Sequence, residues 1–312
     1  MKILALLIFI LLIGNPILAE ESKDKETAGE LLGTPVPIGN YYFVKSTLMI
    51  FGNKWGPQPT TPVELEDCVW EELMLSYEAF RRGIQVKREE VDQEITNTLQ
   101  VEKLSFDWEK DKEAYAKWLK EKTNEPIELF ENQIRHLIQL RYLRQKVMDS
   151  IQVTVTEEEA YQEFLNEHNT LGIELIQFDD EKEAQGFYER AKNDPGFWDG
   201  EKQKSPGRFK HPGFVALEFL MDMWKLPKTA VYEMMKMEVG EVYPPTPIYK
   251  GDGVFKVLEK RPADESRYPP LKDSYYEQIK IKKKYDGLNQ WIKELKEKAN
   301  IKRSGSIDHY VN

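Results

Sequence analysis

Apolar side chains recur at steps of three and four along much of the chain. Val69, Leu73, Tyr77 and Phe80, widened by Trp70 and Met74, mark one face of an amphipathic helix, and Gly83 follows as a C-terminal stop. Val86 to Leu99 carries a shorter helical stripe. Ser105 stands where it can cap a further helix bearing Trp108, Tyr115, Trp118 and Leu119. Pro126 suits a first turn, and Phe130, Ile134, Leu137, Leu140, Leu143, Val147 and Ile151 then make the longest stripe in the sequence. Thr156 and Glu159 have capping-box spacing, which predicts a helix through Tyr161, Phe164 and Leu165. Ahead of these helices, Glu20 to Gly33 is unpatterned. Tyr41 to Val44 predicts a short strand, and Gly52 to Pro62 a loop.

The pattern changes at Gly172. Ile173 to Phe178 predicts a strand, with a helix behind it through Ala184, Phe187, Tyr188 and Ala191. Asn193 to Phe214, rich in Gly, Pro, Lys and Asp, has no period and predicts a long surface loop. Ala230 to Met237 is helical and stops at Gly240. Val242 and the run Pro244-Pro245-Thr246-Pro247 predict a sheet edge, because proline cannot donate to a central ladder. Gly251-Asp252-Gly253 predicts a tight hairpin and Val254 to Leu258 its return strand. After a polar linker, Ile281, Tyr285, Leu288, Ile292 and Leu295 outline a last helix whose stripe must be buried. The expected fold class is α+β: a mainly helical domain built from N- and C-terminal segments, with a small α+β module inserted. The expected divisions are 1–19, a lead-in 20–62, helices 63–171, the module 172–262, a return helix 263–300 and a tail 301–312.

Residues 1–19 refine this picture. One lysine precedes an apolar run from Ile3 to Ile13, then Gly14-Asn15-Pro16 and a small Ala19, the plan of a secretory signal peptide. The run is shorter than the ~20 residues a membrane-crossing helix needs, so no insertion is expected once the segment is cleaved. The expected location is across the cytoplasmic membrane, in the periplasm. The net charge of -10 repels nucleic acid and anionic membranes. Cys68 is the sole cysteine, so stability rests on packed cores rather than disulfides; it reads as a small buried hydrophobe.

The candidate chemistry is apolar. Five of nine methionines fall between Met221 and Met237. With Phe219, Trp224 and Leu226 they fit either a site for irregular apolar partners or an ordinary core. The candidate binding set is Phe219, Met221, Met223, Trp224, Leu226, Met234 and Phe255. No serine, histidine and acid grouping, metal spacing, phosphate loop or cofactor fingerprint is recognisable, so no catalytic or metal residue is assigned. His211-Pro212-Gly213 reads as a turn.

Three stretches carry a family resemblance: Glu66 to Asp92, Phe130 to Thr154, and Val239 to Pro262. Together they resemble the SurA and PrsA group of extracytoplasmic chaperones that carry parvulin-type prolyl isomerase modules. The resemblance implies a helical domain that cradles unfolded or partly folded polypeptides, and an inserted parvulin-like module. It also implies a histidine in the module's first strand and another at the final hairpin. Here Glu174 and Leu175 stand at the first place, Gly253 at the second, and Ile248 where a threonine is common. All four histidines, His136, His168, His211 and His309, lie elsewhere. Amide rotation has a barrier of ~18–20 kcal/mol, and lowering it takes groups that prefer the twisted imide. The expectation is a chaperone whose module is weak or inactive as an isomerase. The alternatives are an active isomerase, or an assembly subunit with a single partner.

Overall fold

The computed structural model describes residues 26–100, 104 and 106–304. The signal-like segment, Ser105, His309 and the tail beyond Ser304 lie outside the described residues. The fold is α+β, and contacts divide it into two compact units: the described residues up to Gln152 with those from Lys284 onward, and Val153–Lys283. These edges differ from the 171/172 and 262/263 expected above.

The first unit opens with β1 (Thr27–Leu31) and β2 (Thr34–Pro37), where an unpatterned lead-in was expected. The expected strand at Tyr41 to Val44 is instead part of helix α1 (Ile38–Phe51). Tyr41, Val44 and Leu48 lie on one helical face and are buried together, so tertiary packing overrides the local strand preference. Helix α2 (Pro62–Arg81) starts at a capping box in which Thr61 and Glu64 satisfy each other's backbone amides. Helices α3 (Arg88–Gln100) and α4 (Lys112–Lys122) follow, the latter capped by Asp111 rather than at the expected Ser105. Helix α5 (Ile127–Ser150) serves two cores: Phe130, Ile134 and Ile138 meet α3 and α4, while Leu140, Leu143 and Val147 join α1 and α2.

The second unit begins with α6 (Glu157–His168), whose Thr156–Glu159 capping box is formed as expected. Strand β3 (Thr170–Phe178) is followed by α7 (Glu181–Asn193). The segment expected to be a long loop is structured: α8 (Phe197–Lys204), β4 (Phe209–Lys210) and β5 (Phe214–Ala216). Trp198 anchors it; the ring is 1 % exposed and its Nε1 donates to Glu174 at 2.7 Å. Helices α9 (Leu217–Asp222) and α10 (Lys228–Lys236) lead to β6 (Val242–Pro247) and β7 (Asp252–Arg261). The sheet order is β4-β3-β7-β6, with β5 also on β3, and the proline-bearing β6 lies at an edge as expected. Only Gly251 of the hairpin glycines has a left-handed backbone, φ 65°, closing the turn with Ile248.

Helix α11 (Tyr268–Ala299) begins inside the expected polar linker. Tyr268, Tyr275 and Ile279 pack on Ala160 and Phe164 of α6 in the second unit. Leu288, Ile292 and Ala299 belong to the first unit's core. The chain then returns as β8 (Lys302–Arg303), which pairs with β1. Gly29 makes that pairing possible: a Cβ there would lie 2.1 Å from the Lys302 carbonyl oxygen and 2.7 Å from the Trp70 ring. Among the described residues no helix is long and apolar enough to cross a membrane.

Gly29→Ala is expected to cost about 1–3 kcal/mol in urea unfolding, the usual penalty of overpacking. Gly39→Ala, in α1 with nothing within 4 Å of the added methyl, is the control and is expected to be neutral or stabilising. Equal losses in the two would sink the account of β1.

Candidate functional site

The module's sheet buries both faces, and strand alternation assigns its residues to them. Leu171, Ile173 and Leu175 of β3 share a face with Phe255 and Val257 of β7, under α9 and α10. Ile176, Phe178 and Val254 turn to the opposite face, against Ala184 and Phe187 of α7 and Trp198 of α8. Glu174 lies on that second face, 3 % exposed, held by Trp198 and by Lys202 at 2.5 Å. Of the two residues expected at the first histidine's place, only Leu175 is on the Phe255 side.

At the final hairpin the Phe255 ring lies back across Gly253. A Cβ at Gly253 would be 2.8 Å from two atoms of that ring and 3.3 Å from Ile248 Cγ2. Phe255 is fully buried, and the Trp224 ring lies beside it with centroids 6.2 Å apart. The space that a side chain at position 253 would need is thus filled by carbon. Thr246 is buried beside this hairpin and donates to the Pro244 carbonyl at 3.1 Å.

The candidate binding residues separate into three groups. Leu226, Met234 and Phe255 are core, at most 3 % exposed. Met221 and Trp224 are half-buried against the same core. Phe219 and Met223 are exposed, 42 % and 62 %, one helical turn apart at the end of α9. Phe214, absent from the expected set, is also exposed, with the Arg261 guanidinium stacked on its ring at 3.3 Å. Met234 could have been assigned from spacing, since Ala230, Val231 and Met234 form the buried stripe of α10.

The histidines have structural partners. His211 Nδ1 bonds the Ile173 carbonyl at 2.9 Å, between β4 and β5, so the predicted turn also patches a break in the edge pairing. His168 Nε2 lies 3.0 Å from the Tyr275 hydroxyl. His136 completes a grouping that sequence reading missed. Its Nδ1 is 3.3 Å from Ser76 Oγ and its Nε2 is 3.3 Å from Glu72 Oε2. The order is that of a hydrolytic triad, but Ser76 donates its proton to the Glu72 carbonyl of its own helix at 2.7 Å. The grouping is a buried polar tie between α2 and α5. No group of histidine, cysteine and carboxylates suited to a metal occurs among the described residues.

No protein-family model matches the chain, and no curated protein sequence matches it. Its structural neighbours are PrsA and SurA-like proteins. PrsA of Bacillus anthracis, a peptidylprolyl isomerase, aligns at 18% identity and TM-score 0.44, covering 75% of this chain and 99% of that one. A SurA-like chaperone structure from Campylobacter jejuni, from work on PEB4 and Cj1289, aligns at 14% identity and TM-score 0.40, covering 90% and 100%. PrsA of Bacillus cereus aligns at 17% identity and TM-score 0.38, covering 91% and 95%.

Two measurements check this geometry. Gly253→His is expected to destabilise the protein by about 1–3 kcal/mol through its clash with Phe255, and adding Phe255→Ile should recover part of that loss. Independent effects of the two changes in urea unfolding would refute the packing described. The second concerns Tyr243, which donates to Glu233 at 2.6 Å. Burial first, and the carboxylate acceptor second, push its phenol up to about 12. A raised folded-state pKa favours the protonated form, so this contribution is complete below pH 10 and fades as pH rises toward 12. Tyr243→Phe should remove one late-titrating phenol from the tyrosinate absorbance curve.

Proposed function

We propose that the protein is an extracytoplasmic folding factor that holds apolar segments of unfolded or partly folded polypeptides. On this reading the inserted module binds or spaces rather than isomerises. The observation that carries it is the contrast within one face of the module. The interior is filled by Phe255, while Phe219 and Met223 stand exposed beside half-buried Met221 and Trp224. Flexible thioethers and aromatic rings at a surface suit clients of varied shape, and holding them needs no reaction. Isomerisation needs polar groups aimed at the twisted imide, and Leu175, Gly253 and Phe255 offer carbon instead. The binding set on this reading is Phe219, Met223 and the open edges of Met221 and Trp224, with Leu226, Met234 and Phe255 supporting it from beneath.

The test pairs suppression of aggregation of an unfolded client with isomerisation of a proline tetrapeptide. Phe219→Ser with Met223→Ser is expected to weaken suppression several-fold while leaving Tm within a few degrees, since both residues are exposed. Unchanged suppression would sink the proposed surface. Isomerisation at the rate of an ordinary parvulin, lost on changing Met221, would replace this reading with an active enzyme. One stoichiometric complex in pull-downs from the envelope would replace it with a dedicated assembly subunit.

A further inference from the structure

Helix α9 presents two ridges to solvent. Leu217 and Leu220 are buried in the module's core, which turns Glu218, Phe219, Asp222 and Met223 outward. Residues four apart lie one above the other on a helix. Phe219 and Met223 therefore form an apolar ridge, and Glu218 and Asp222 a carboxylate ridge that runs beside it.

The carboxylate ridge is short of counter-charge. Helix α6 packs against α9, and its Glu163 and Glu167, again four apart, strengthen the negative field at Glu218. Partial burial first, and then the carboxylates of Glu163, Asp222 and Glu167, raise the Glu218 carboxyl above its ordinary value. Glu163 has Lys282 at 3.8 Å, and Glu167 accepts from the Tyr275 hydroxyl at 2.5 Å. Neither Glu218 nor Asp222 has an ion-pair partner among the described residues. Lys225, just past Trp224, is the one basic residue between Leu217 and Leu226. Four carboxylates thus stand against two lysines. They are not gathered for a metal, since no such grouping occurs among the described residues. Cations spread along a polypeptide fit that spacing better than a single ion does.

We propose that this surface selects clients whose apolar segments are flanked by lysine or arginine, the apolar side chains meeting Phe219 and Met223 and the basic heads reaching Glu218 and Asp222. The inference rests on the client-holding reading and names the class of client for that same surface. Lysine and arginine suit both ridges at once, because their methylene stems lie along apolar surface while their charged ends stay in water. An extended segment places next-but-one side chains about 6.6 Å apart on one side, close to the ~5.4 Å turn that separates Phe219 from Met223. Acidic flanks would meet the same field with the opposite sign, so the ridge rejects as well as attracts.

The test titrates the purified full chain with fluorescent peptides that share one apolar core, Leu-Phe-Leu-Met, and carry two lysines or two glutamates at each end. At ~0.1 M salt, where charges act over ~10 Å, the lysine-flanked peptide is expected to bind about fivefold or more tightly than the glutamate-flanked one. Near ~1 M salt, with that reach cut to ~3 Å, the ratio should fall below about twofold. Glu218→Gln with Asp222→Asn should lower it to the same level at ~0.1 M. Glu181→Gln with Glu183→Gln makes an equal change of charge on α7, across the sheet, and should leave the ratio as it is. Equal binding of the two peptides by the wild type overturns this inference and leaves the client-holding reading standing. A ratio that survives in the Glu218 and Asp222 variant overturns it as well. Peptides that do not bind at all, or that bind undiminished after Phe219→Ser with Met223→Ser, overturn the client-holding reading and this inference with it.

Discussion

The close approach of β1 to β8 at Gly29 is the constraint on which the first unit depends. Glycine at this position lets the backbone of β1 lie between the Trp70 ring and the Lys302 carbonyl. Around that contact the first unit draws Ala28, Leu31, Trp70, Leu143, Leu288 and Ala299 into one core. The first and last of the described elements are therefore tied to one core, and Val153–Lys283 lies between them in the chain. Salt bridges add orientation rather than cohesion: Lys302 to Glu30 and Arg303 to Asp67 sit at the surface, where such pairs contribute little.

The module follows a different logic. Its sheet has carbon on both faces, and the carboxylate that enters it, Glu174, is paired with Lys202 and accepts a hydrogen bond from Trp198 Nε1 on the side away from Phe255. What polar chemistry it retains is used to hold itself together: His211 patches an edge, Tyr243 ties β6 to Glu233, and Thr246 bonds its own turn. The exposed Phe219 and Met223 are therefore the conspicuous unsatisfied surface on the α9 side of this unit. The proposed function follows from that division between a filled interior and an open rim.

Helices with complete local signals were legible in the sequence. The stripe of α5 and the capping box at Thr156 depend on neighbours within a few residues; the capping box appears as read, and the stripe does so except that Ile138 is buried rather than Leu137 and Ile151 lies just past the helix end. Elements whose stability comes from distant partners were not. Tyr41 to Val44 has the composition of a strand, yet becomes helix because Tyr41 meets the Trp70 ring at 6.1 Å. The segment after Asn193 looked irregular because Gly, Pro and Lys surround Trp198, whose anchor is Glu174 on a strand before it. At the hairpin, Gly253 is visible in the sequence. That the Phe255 ring lies back across it is not, although residues two apart on a strand share a face and so could have suggested it. The Ser76, His136 and Glu72 grouping spans α2 and α5, beyond the reach of any local motif.

The pairing of Glu30 with Lys302, 272 residues apart in sequence, has a consequence for how the molecule comes into being. A chain emerging end-first through a narrow exit delivers Val153–Lys283 as a contiguous stretch, able to collapse by itself, whereas the opening helices must wait for the final turn of α11 and β8. Loop closure over such a span is slow relative to local contact formation. Until its last strand arrives, the first unit lacks the side of its core that Leu288, Ile292 and Ala299 supply, and for that interval needs the same protection it is proposed to give.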